Sequence, residues 1–390
     1  MQNDPCNPGF VARGQFGRGA CFLRDNPRRA GFVDGMKPVR VCFFPAAFFL
    51  TATLLAGRTG IVWPTPNTAF FDGKPIEAFI QPTASGIVES GLYGGVRNGG
   101  ARFHEGLDLF PLQRDRQGEP LDPVFAVMPG VVRHVSTLPG NSSYGRYIVI
   151  EHPGETPAVY TLYAHLRAIE PGVAPGAAVA RGQRIATMGR SASVMAIPKA
   201  RAHLHFEIGV RLTDAFQPWY DAQQFGSPNK HGIWNGLNLM GLDPLDFYRR
   251  LRAGGVADFQ DYFRQMKTAV RLRIASGSRL PDFVERYPSL RTTPVRAVVS
   301  PVSVVSADGV AADEVGGWEI AFNETGIPFA WTPLQARELA DYKPGEARVL
   351  TVDEALAKQW RCKSLAVKTR GQWRAGGDLN TVLALLFGPR

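Results

Sequence analysis

Between residues 85 and 208 the chain is broken into short β-branched runs, each bounded by Gly or Pro. They are PVFAVMPGVVRHVS (123–136), GRYIVIEH (145–152), AVYTLYAHL (158–166), RGQRIATMG (181–189) and AHLHFEI (202–208). A parallel sheet needs crossover segments of roughly 10–15 residues with a helical period between its strands. No such segment separates these runs, so an all-β module is expected and a βαβ array is not.

The flanks differ in character. Residues 58–84 are Pro-rich and read as a lead-in strand or linker. Residues 209–242 form an aromatic insertion closed by GLDPLDFYRRL, with Trp219, Tyr220 and Trp234 expected to border a groove or to pack as a flap. Beyond 251 the apolar spacing changes. ADFQDYFRQMKTAVRL and PDFVERY predict helices, VRAVVSPVSVV and GGWEIAFNETGIPFAW predict strands with a turn at Asn323-Glu324-Thr325-Gly326, and PLQARELADY and TVDEALAKQW predict short helices. The expected organisation is a β-rich domain over 85–250 and an accessory mixed α+β domain over 251–390.

The longest apolar run, VRVCFFPAAFFLTATLLA (39–56), follows Met36, Lys37 and Arg40. A basic stretch followed by an apolar one that ends in small residues reads as a secretory signal, and Pro45 and the missing polar face argue against a soluble amphipathic helix. The small residue expected three positions before a cut is absent, so residues 36–57 serve either as a cleaved signal or as a membrane anchor. The 35 residues before Met36 are Gly- and Arg-rich without apolar periodicity, and read as a disordered or mis-assigned extension. Export to the periplasm or cell envelope is expected.

The formal charge is +10, of which residues 1–57 contribute seven Lys/Arg against three Asp/Glu, leaving +6 to the remainder. Such a balance suits an anionic polymer such as a cell wall. Nucleic acid is not expected, because no run of interleaved Lys, Arg and aromatic residues stands out and the charge reads as scattered and solvated. After the apolar run only Cys362 remains, so a cysteine-rich metal site and an intramolecular disulfide are both excluded there. In QWRCKSLAV this thiol reads as a small buried hydrophobe on a strand, the alternative being an exposed thiol activated by Arg361 and Lys363.

Metal chemistry must therefore come from His and carboxylates. FHEGLDLF places His104 and Asp108 four apart, RAHLHFEI places His203 and His205 two apart, and LYAHL supplies His165. Residues two apart on a strand share a face, so His203 and His205 can reach one groove together. A catalytic zinc takes three protein ligands and leaves a position for water. His104, Asp108 and one of His203 or His205 would supply them, leaving the other His and His165 for proton transfer or oxyanion stabilisation. His134, His152 and His231 match no such pattern; His134 and His152 read as surface or strand-end residues. Glu105 and Glu207 are expected to alternate away from the ligands.

The order FHEGLDLF, PVFAVMPGVV, GRYIVIEH, YTLYAHL, RGQRIATMG, HLHFE resembles the lysostaphin/LytM-type zinc metalloendopeptidases over about residues 85–250. The resemblance implies a small antiparallel β-sheet fold with a groove. It implies zinc held by His104, Asp108 and His205, with His165 and His203 catalytic. It further implies hydrolysis of the peptide cross-links of bacterial peptidoglycan, and a setting among wall-associated proteins. A non-enzymatic regulator of other wall hydrolases is the alternative, against which the complete set of five residues weighs. Two departures stand out. SGLYGGVR is longer than the family's Ser-Gly-Phe-Gly-x-Arg run, leaving Tyr93 and Arg97 without assigned roles. The segment GRSASVMAIPKARA stands before His203 in place of a glycine-rich turn.

Overall fold

The computed structural model describes residues 59–292 and 315–388. The N-terminal extension, the apolar run and the segment 295–305 read as a strand lie outside the described residues. Among the described residues no helix is long and apolar enough to cross a membrane.

The β-rich region begins with a hairpin of β1 (Gly94–Arg97) and β2 (Arg102–His104), followed by β3 (Leu107–Leu109), β4 (Pro123–Phe125) and β5 (Gly130–Ser136). Next come β6 (Tyr147–Glu151), β7 (Tyr160–Ala164), β8 (Ala168–Ile169), β9 (Ala178–Val179), β10 (Arg184–Thr187) and β11 (Leu204–Arg211). After a helix α1 (Phe216–Ala222), β12 (Leu239–Leu242) returns to pair with β11. The main sheet has the order β12-β11-β7-β6-β5-β9, with β3 also pairing with β11. Each of its pairings is antiparallel, as the family resemblance implies. A smaller sheet of β4, β10 and β8 packs beside it. Every residue of β11 is buried, with Leu204, Phe206, Ile208 and Val210 on one face and His205, Glu207 and Arg211 on the other.

The lead-in segment forms no strand. It contributes Trp63, Phe70 and Phe79, whose rings pack on one another and on Tyr248, with Trp63 and Phe70 stacked at 5.0 Å. Aromatic bodies bury a large apolar area for little entropy, so this irregular chain is fixed by side chains together with a few backbone bonds, among them an antiparallel bridge of Ile80 with Leu109. Tyr248 lies on α2 (Pro244–Ala253), which starts where the Asp243 carboxylate accepts from the Leu245 and Asp246 amides and ends at the left-handed Gly254.

The C-terminal region contains α3 (Phe259–Arg264), β13 (Val270–Ile274), α4 (Asp282–Arg286), β14 (Val315–Phe322), β15 (Pro328–Gln335) and β16 (Ala347–Val352). A single-turn α5 (Glu354–Ala357), a hairpin of β17 (Ala366–Thr369) and β18 (Gln372–Ala375), and α6 (Gly377–Phe387) complete it. The four-stranded sheet runs β15-β14-β13-β16. Three sequence expectations change here. The run read as helical ends in VRL, which instead opens β13, where Val270, Leu272 and Ile274 are buried between half-exposed arginines. TVDEALAKQW divides between β16 and α5, and PLQARELADY between β15 and a 3-10 turn at Ala336–Leu339. Buried apolar side chains from Trp63 to Leu386 form one cluster that joins both sheets, and residues 57–390 are one compact unit.

Candidate metal centre and cleft

The antiparallel ladder sets the site. In register, β11 pairs His205 with Asp108 on β3 and with Ala164 on β7, while β2 ends at His104. The ladder thereby sets His205 beside Asp108, and the short connection from β2 to β3 brings His104 to the same point. His104 Nε2 lies 2.9 Å from His205 Nδ1, and the Asp108 Oδ1 atom is 3.1 Å and 3.2 Å from these two nitrogens. All three side chains are buried.

The outer nitrogens decide where the protons sit. His104 Nδ1 donates to the Leu92 carbonyl at 2.7 Å, which leaves Nε2 as a bare lone pair. His205 Nε2 faces the Glu207 carboxylate at 2.8 Å, which leaves Nδ1 bare in the neutral ring. Two lone pairs and a carboxylate oxygen thus converge on one point, an arrangement that repels itself unless a cation or an extra proton sits among them. The electrostatics agree. Burial disfavours a charged His205, but hydrogen bonds to Asp108 and Glu207 outweigh it and raise the ring to about 9. Burial likewise opposes the Asp108 anion, and the facing His104 and His203 hold the carboxyl well below the usual carboxylate range.

The donor set fits zinc, which takes imidazole nitrogen and carboxylate oxygen. Bonds of about 2.0–2.1 Å in a tetrahedron put neighbouring ligand atoms roughly 3.3 Å apart. The three atoms here are close to that spacing, and all lie within 4.8 Å of one another as a group able to hold a metal ion.

His203 and His165 stand beside this triangle. His203 Nδ1 donates to the Arg201 carbonyl at 2.7 Å and His165 Nδ1 to the Ser191 carbonyl at 2.8 Å, so each ring keeps Nε2 as an acceptor. Their rings are 4.8 Å apart, and His203 Nε2 is 3.4 Å from Asp108 Oδ1. Burial pushes both imidazoles down from their ordinary value, His165 the further because His203 and His205 add like-charge repulsion. His165 also has φ +61°, a strained backbone for a residue with a side chain. It is held there by its amide to the Tyr144 carbonyl and by the Ser191 amide to its own carbonyl. Ser191 in turn donates to the Leu166 carbonyl and accepts from the Arg146 amide.

The expectation for Glu207 is overturned. Two residues beyond His205 on β11, it lies on the same face, since alternation places i and i+2 together. Its second oxygen accepts from the Tyr160 hydroxyl at 2.8 Å, and its first also accepts from the Tyr144 hydroxyl at 2.6 Å. The i, i+2 spacing was the signal for Glu207; nothing local marks Tyr144 or Tyr160. Arg97 pairs with Asp108 through Oδ2 and donates to the Ser90 carbonyl, fixing the carboxylate that faces the histidines. Tyr93 instead donates to the Gly241 carbonyl at 2.6 Å and is a packing residue.

The histidines open on a cleft of about 520 Å³. The segment before His203 forms one wall through Ala192, Ile197 and Arg201, anchored where Arg190 grips Glu119 by 2.8 Å and 3.0 Å bonds. The insertion forms the other wall. The first and last residues of 209–242 are strand, and Trp219, Tyr220 and Trp234 are all buried; of these three only Tyr220 lines the cleft. His231, also of the insertion, lines it and meets His134 at 3.3 Å. His152 is wholly buried at the end of β6, bonded to the Pro129 carbonyl and the Thr161 hydroxyl. Cys362 is in a turn, half-buried, and burial raises its thiol, so the strand placement is corrected and the activated thiol is not supported.

Residues 102–218 match Peptidase family M23. This span holds all five histidine and aspartate positions of the site. No curated protein matches the chain. Among solved structures, a zinc-containing peptidase from Vibrio cholerae shares 27% identity, covering 39% of this chain and 37% of its own, with a TM-score of 0.26. A glycyl-glycine endopeptidase LytM, assigned as such in Ruminococcus gnavus, shares 28% over 30% of this chain and 43% of its own, with a TM-score of 0.23. The catalytic domain of lysostaphin from Staphylococcus simulans shares 22% over 41% of this chain and 87% of its own, with a TM-score of 0.25. The chain thus spans less than half the length of the first two, and at these TM-scores the likenesses stand only as likenesses.

Proposed function

We propose that this chain is an exported zinc metalloendopeptidase that hydrolyses peptide cross-links of bacterial peptidoglycan, with His104, Asp108 and His205 as zinc ligands and His165 and His203 as catalytic residues. The observation that carries the reading is the convergence of His104 Nε2, His205 Nδ1 and Asp108 Oδ1, three acceptor atoms with no proton to share in the neutral rings. When bound there, zinc would supply Lewis acidity toward water and a scissile carbonyl.

The chain's own residues supply the rest. His203 and His165, neutral because burial depresses both, present Nε2 toward the site with Nδ1–H tied to carbonyl oxygens. A ring in that state can take a proton from attacking water and return it to the leaving amine, the work of a general base and then acid. Once protonated, it becomes a donor to the developing oxyanion. Glu207, clasped by two tyrosine hydroxyls, orients His205 and increases its basicity, as a carboxylate behind a metal-binding imidazole does. Arg97 orients Asp108 from the other side.

Incubating the purified chain with peptidoglycan, with zinc measured by elemental analysis and released fragments by mass spectrometry, tests the proposal. Stoichiometric zinc and newly freed peptide termini are expected. A chain that binds no zinc and releases nothing would instead be the non-enzymatic regulator.

A further inference from the structure

Between Glu354 and Asp378 the chain has six Lys/Arg and no Asp/Glu. Charge that looks scattered along the sequence is gathered by the fold. Residues 358–364 turn against the β1–β2 hairpin, and β17 and β18 project as a two-stranded ribbon on which Lys368, Arg370 and Arg374 are exposed. Lys358 pairs with Glu354 at 2.8 Å, and Lys363 is 3.9 Å from Asp378. Arg361, Lys368, Arg370 and Arg374 pair with no carboxylate among the described residues. Lys368, Arg370 and Arg374 on the ribbon, with Arg361 before it and Glu354 the acid that feels Lys368, add their fields and favour an anionic partner.

The segment leading into the ribbon packs against the β1–β2 hairpin, which reaches the cleft through Arg97 and Arg102. A Cβ on Gly94, whose φ is +112°, would lie 2.6 Å from the Trp360 ring, and one on Gly95 would lie 3.0 Å from Cys362 Sγ. Gly94 and Gly95 of SGLYGGVR therefore admit the C-terminal region against β1. Phe103 on β2 meets Trp360 edge to face, with the Lys363 ammonium 4.5 Å over its other contact surface. β1 and β2 also carry Arg97 and Arg102, which line the cleft. Arg97 is neutralised by Asp108, whereas Arg102 is exposed and meets no carboxylate among the described residues. Basic residues thus run from Arg102 in the cleft lining, through Arg361 beside Gly100 and Lys363 over Phe103, to Arg370 in the turn of the ribbon.

We infer that this strip is a second binding surface for the wall polymer, taking free carboxylates of its stem peptides while a cross-link occupies the cleft. The inference rests on the peptidase reading for the identity of the polymer. Continuity with the cleft favours that polymer over a membrane or a nucleic acid. The ribbon exposes one large aliphatic side chain, Val367, which is little to insert into a bilayer. Its Trp373 is half-buried with Lys368 5.3 Å over the ring, leaving no open platform for stacked bases.

The test is co-sedimentation of the full chain with insoluble peptidoglycan on ice, comparing parent with the triple variant Lys368→Gln, Arg370→Asn, Arg374→Gln. Asn suits position 370, where φ is +51°. The variant should bind about 10-fold more weakly or worse, and parent binding should fall with salt as exposed charge is screened. Amidating the peptidoglycan carboxyls should bring the parent down to the variant, while turnover of a short soluble peptide stays equal in both. Equal binding by parent and variant, or undiminished binding of the parent to amidated polymer, overturns the inference. So does charge-dependent binding to phosphatidylglycerol vesicles or DNA without binding to peptidoglycan. Carboxylate-dependent binding with no peptide turnover would sink the peptidase reading and leave this surface standing. Should the triple variant lose its fold by circular dichroism, Arg361→Gln provides the same comparison outside the ribbon.

Discussion

Two histidine clusters share the cleft and carry opposite electrostatics. In the first His104 and His205 face Asp108, with Glu207 behind, and His205 is raised to about 9. In the second, of which His231 lines the cleft, His134 and His231 touch at 3.3 Å with no carboxylate bonded to either among the described residues, and burial pushes His134 down to about 4. The ring nitrogens approach as closely in both places, within a few tenths of an ångström. What differs is the placement of acid: a buried carboxylate turns a pair of imidazoles into a cation site, and its absence leaves them neutral packing groups. Proximity of histidines alone would have marked both clusters equally.

The sharpest way to break this contrast is to remove the acid. Asp108→Ala leaves two lone pairs facing each other without the negative charge that favours a cation. Zinc and activity should be lost together, well beyond the roughly 10–100-fold that loss of a hydrogen-bonded neighbour costs a metal site. Metal content after dialysis reads the outcome, and His104→Ala should behave alike. Zinc retained stoichiometrically by both variants would show the ligand set to be wrong.

A smaller effect is expected one step from the metal. His203→Ala and His165→Ala should keep zinc while turnover falls by about 100-fold or more, the usual size of an acid–base or oxyanion contribution. If either variant loses metal in proportion to activity, ligand and catalyst roles are exchanged. Glu207→Gln should do less: the amide oxygen still accepts from His205 and one tyrosine, but the negative charge is gone. Zinc affinity should drop by about 10-fold, at the lower end of such neighbours. An unchanged affinity in a competition titration with a chelator would leave Glu207 with a packing role only.

How far the sequence foretells these clusters follows from the physics of each element. The antiparallel module and the meeting of His104, Asp108, His165, His203 and His205 are legible because strands of period two, closed by Gly and Pro, have few ways to pair. Glu207 was legible too, by the same alternation that joins His203 to His205. VRLRI carries its strand period openly, but it follows an apolar helical run with no Gly or Pro between them, and the two merge when read by spacing. α6 shows the opposite problem. Its DLNTVLALLF is buried at Leu379, Val382, Leu383, Leu385 and Leu386, so no polar face marks a period. The His134–His231 contact joins residues 97 apart through the insertion, and no local pattern carries such a pairing.

The gentlest perturbation concerns that second pair and acts through pH. His134 lies on β5 with its ring 5.1 Å from Tyr147, and His231 reaches it from the insertion beside Lys230, with Nε2 donating to the Asn141 carbonyl. Burial lowers His134 to about 4 and lowers His231 as well, each also facing a positive or potentially positive neighbour. In the unfolded chain both rings return to about 6.5. The folded value is the lower one, so on acidification the unfolded chain takes up protons first. Stability present above pH 6.5 is therefore lost as pH falls from there toward 4. His152, also lowered to about 4 by burial, contributes in the same window from the core. His134→Gln removes only the part due to the pair, because Gln does not titrate and can still donate to or accept from His231. The difference in melting temperature between pH 7 and pH 5 should shrink by a few degrees in the variant, the shift expected for about 1 kcal/mol in a unit of this size. Glu207→Gln in the first cluster should not reproduce that narrowing. An identical pH slope in parent and His134→Gln would mean that the pair contributes no linkage and that His152 or the carboxylates set the acid limb.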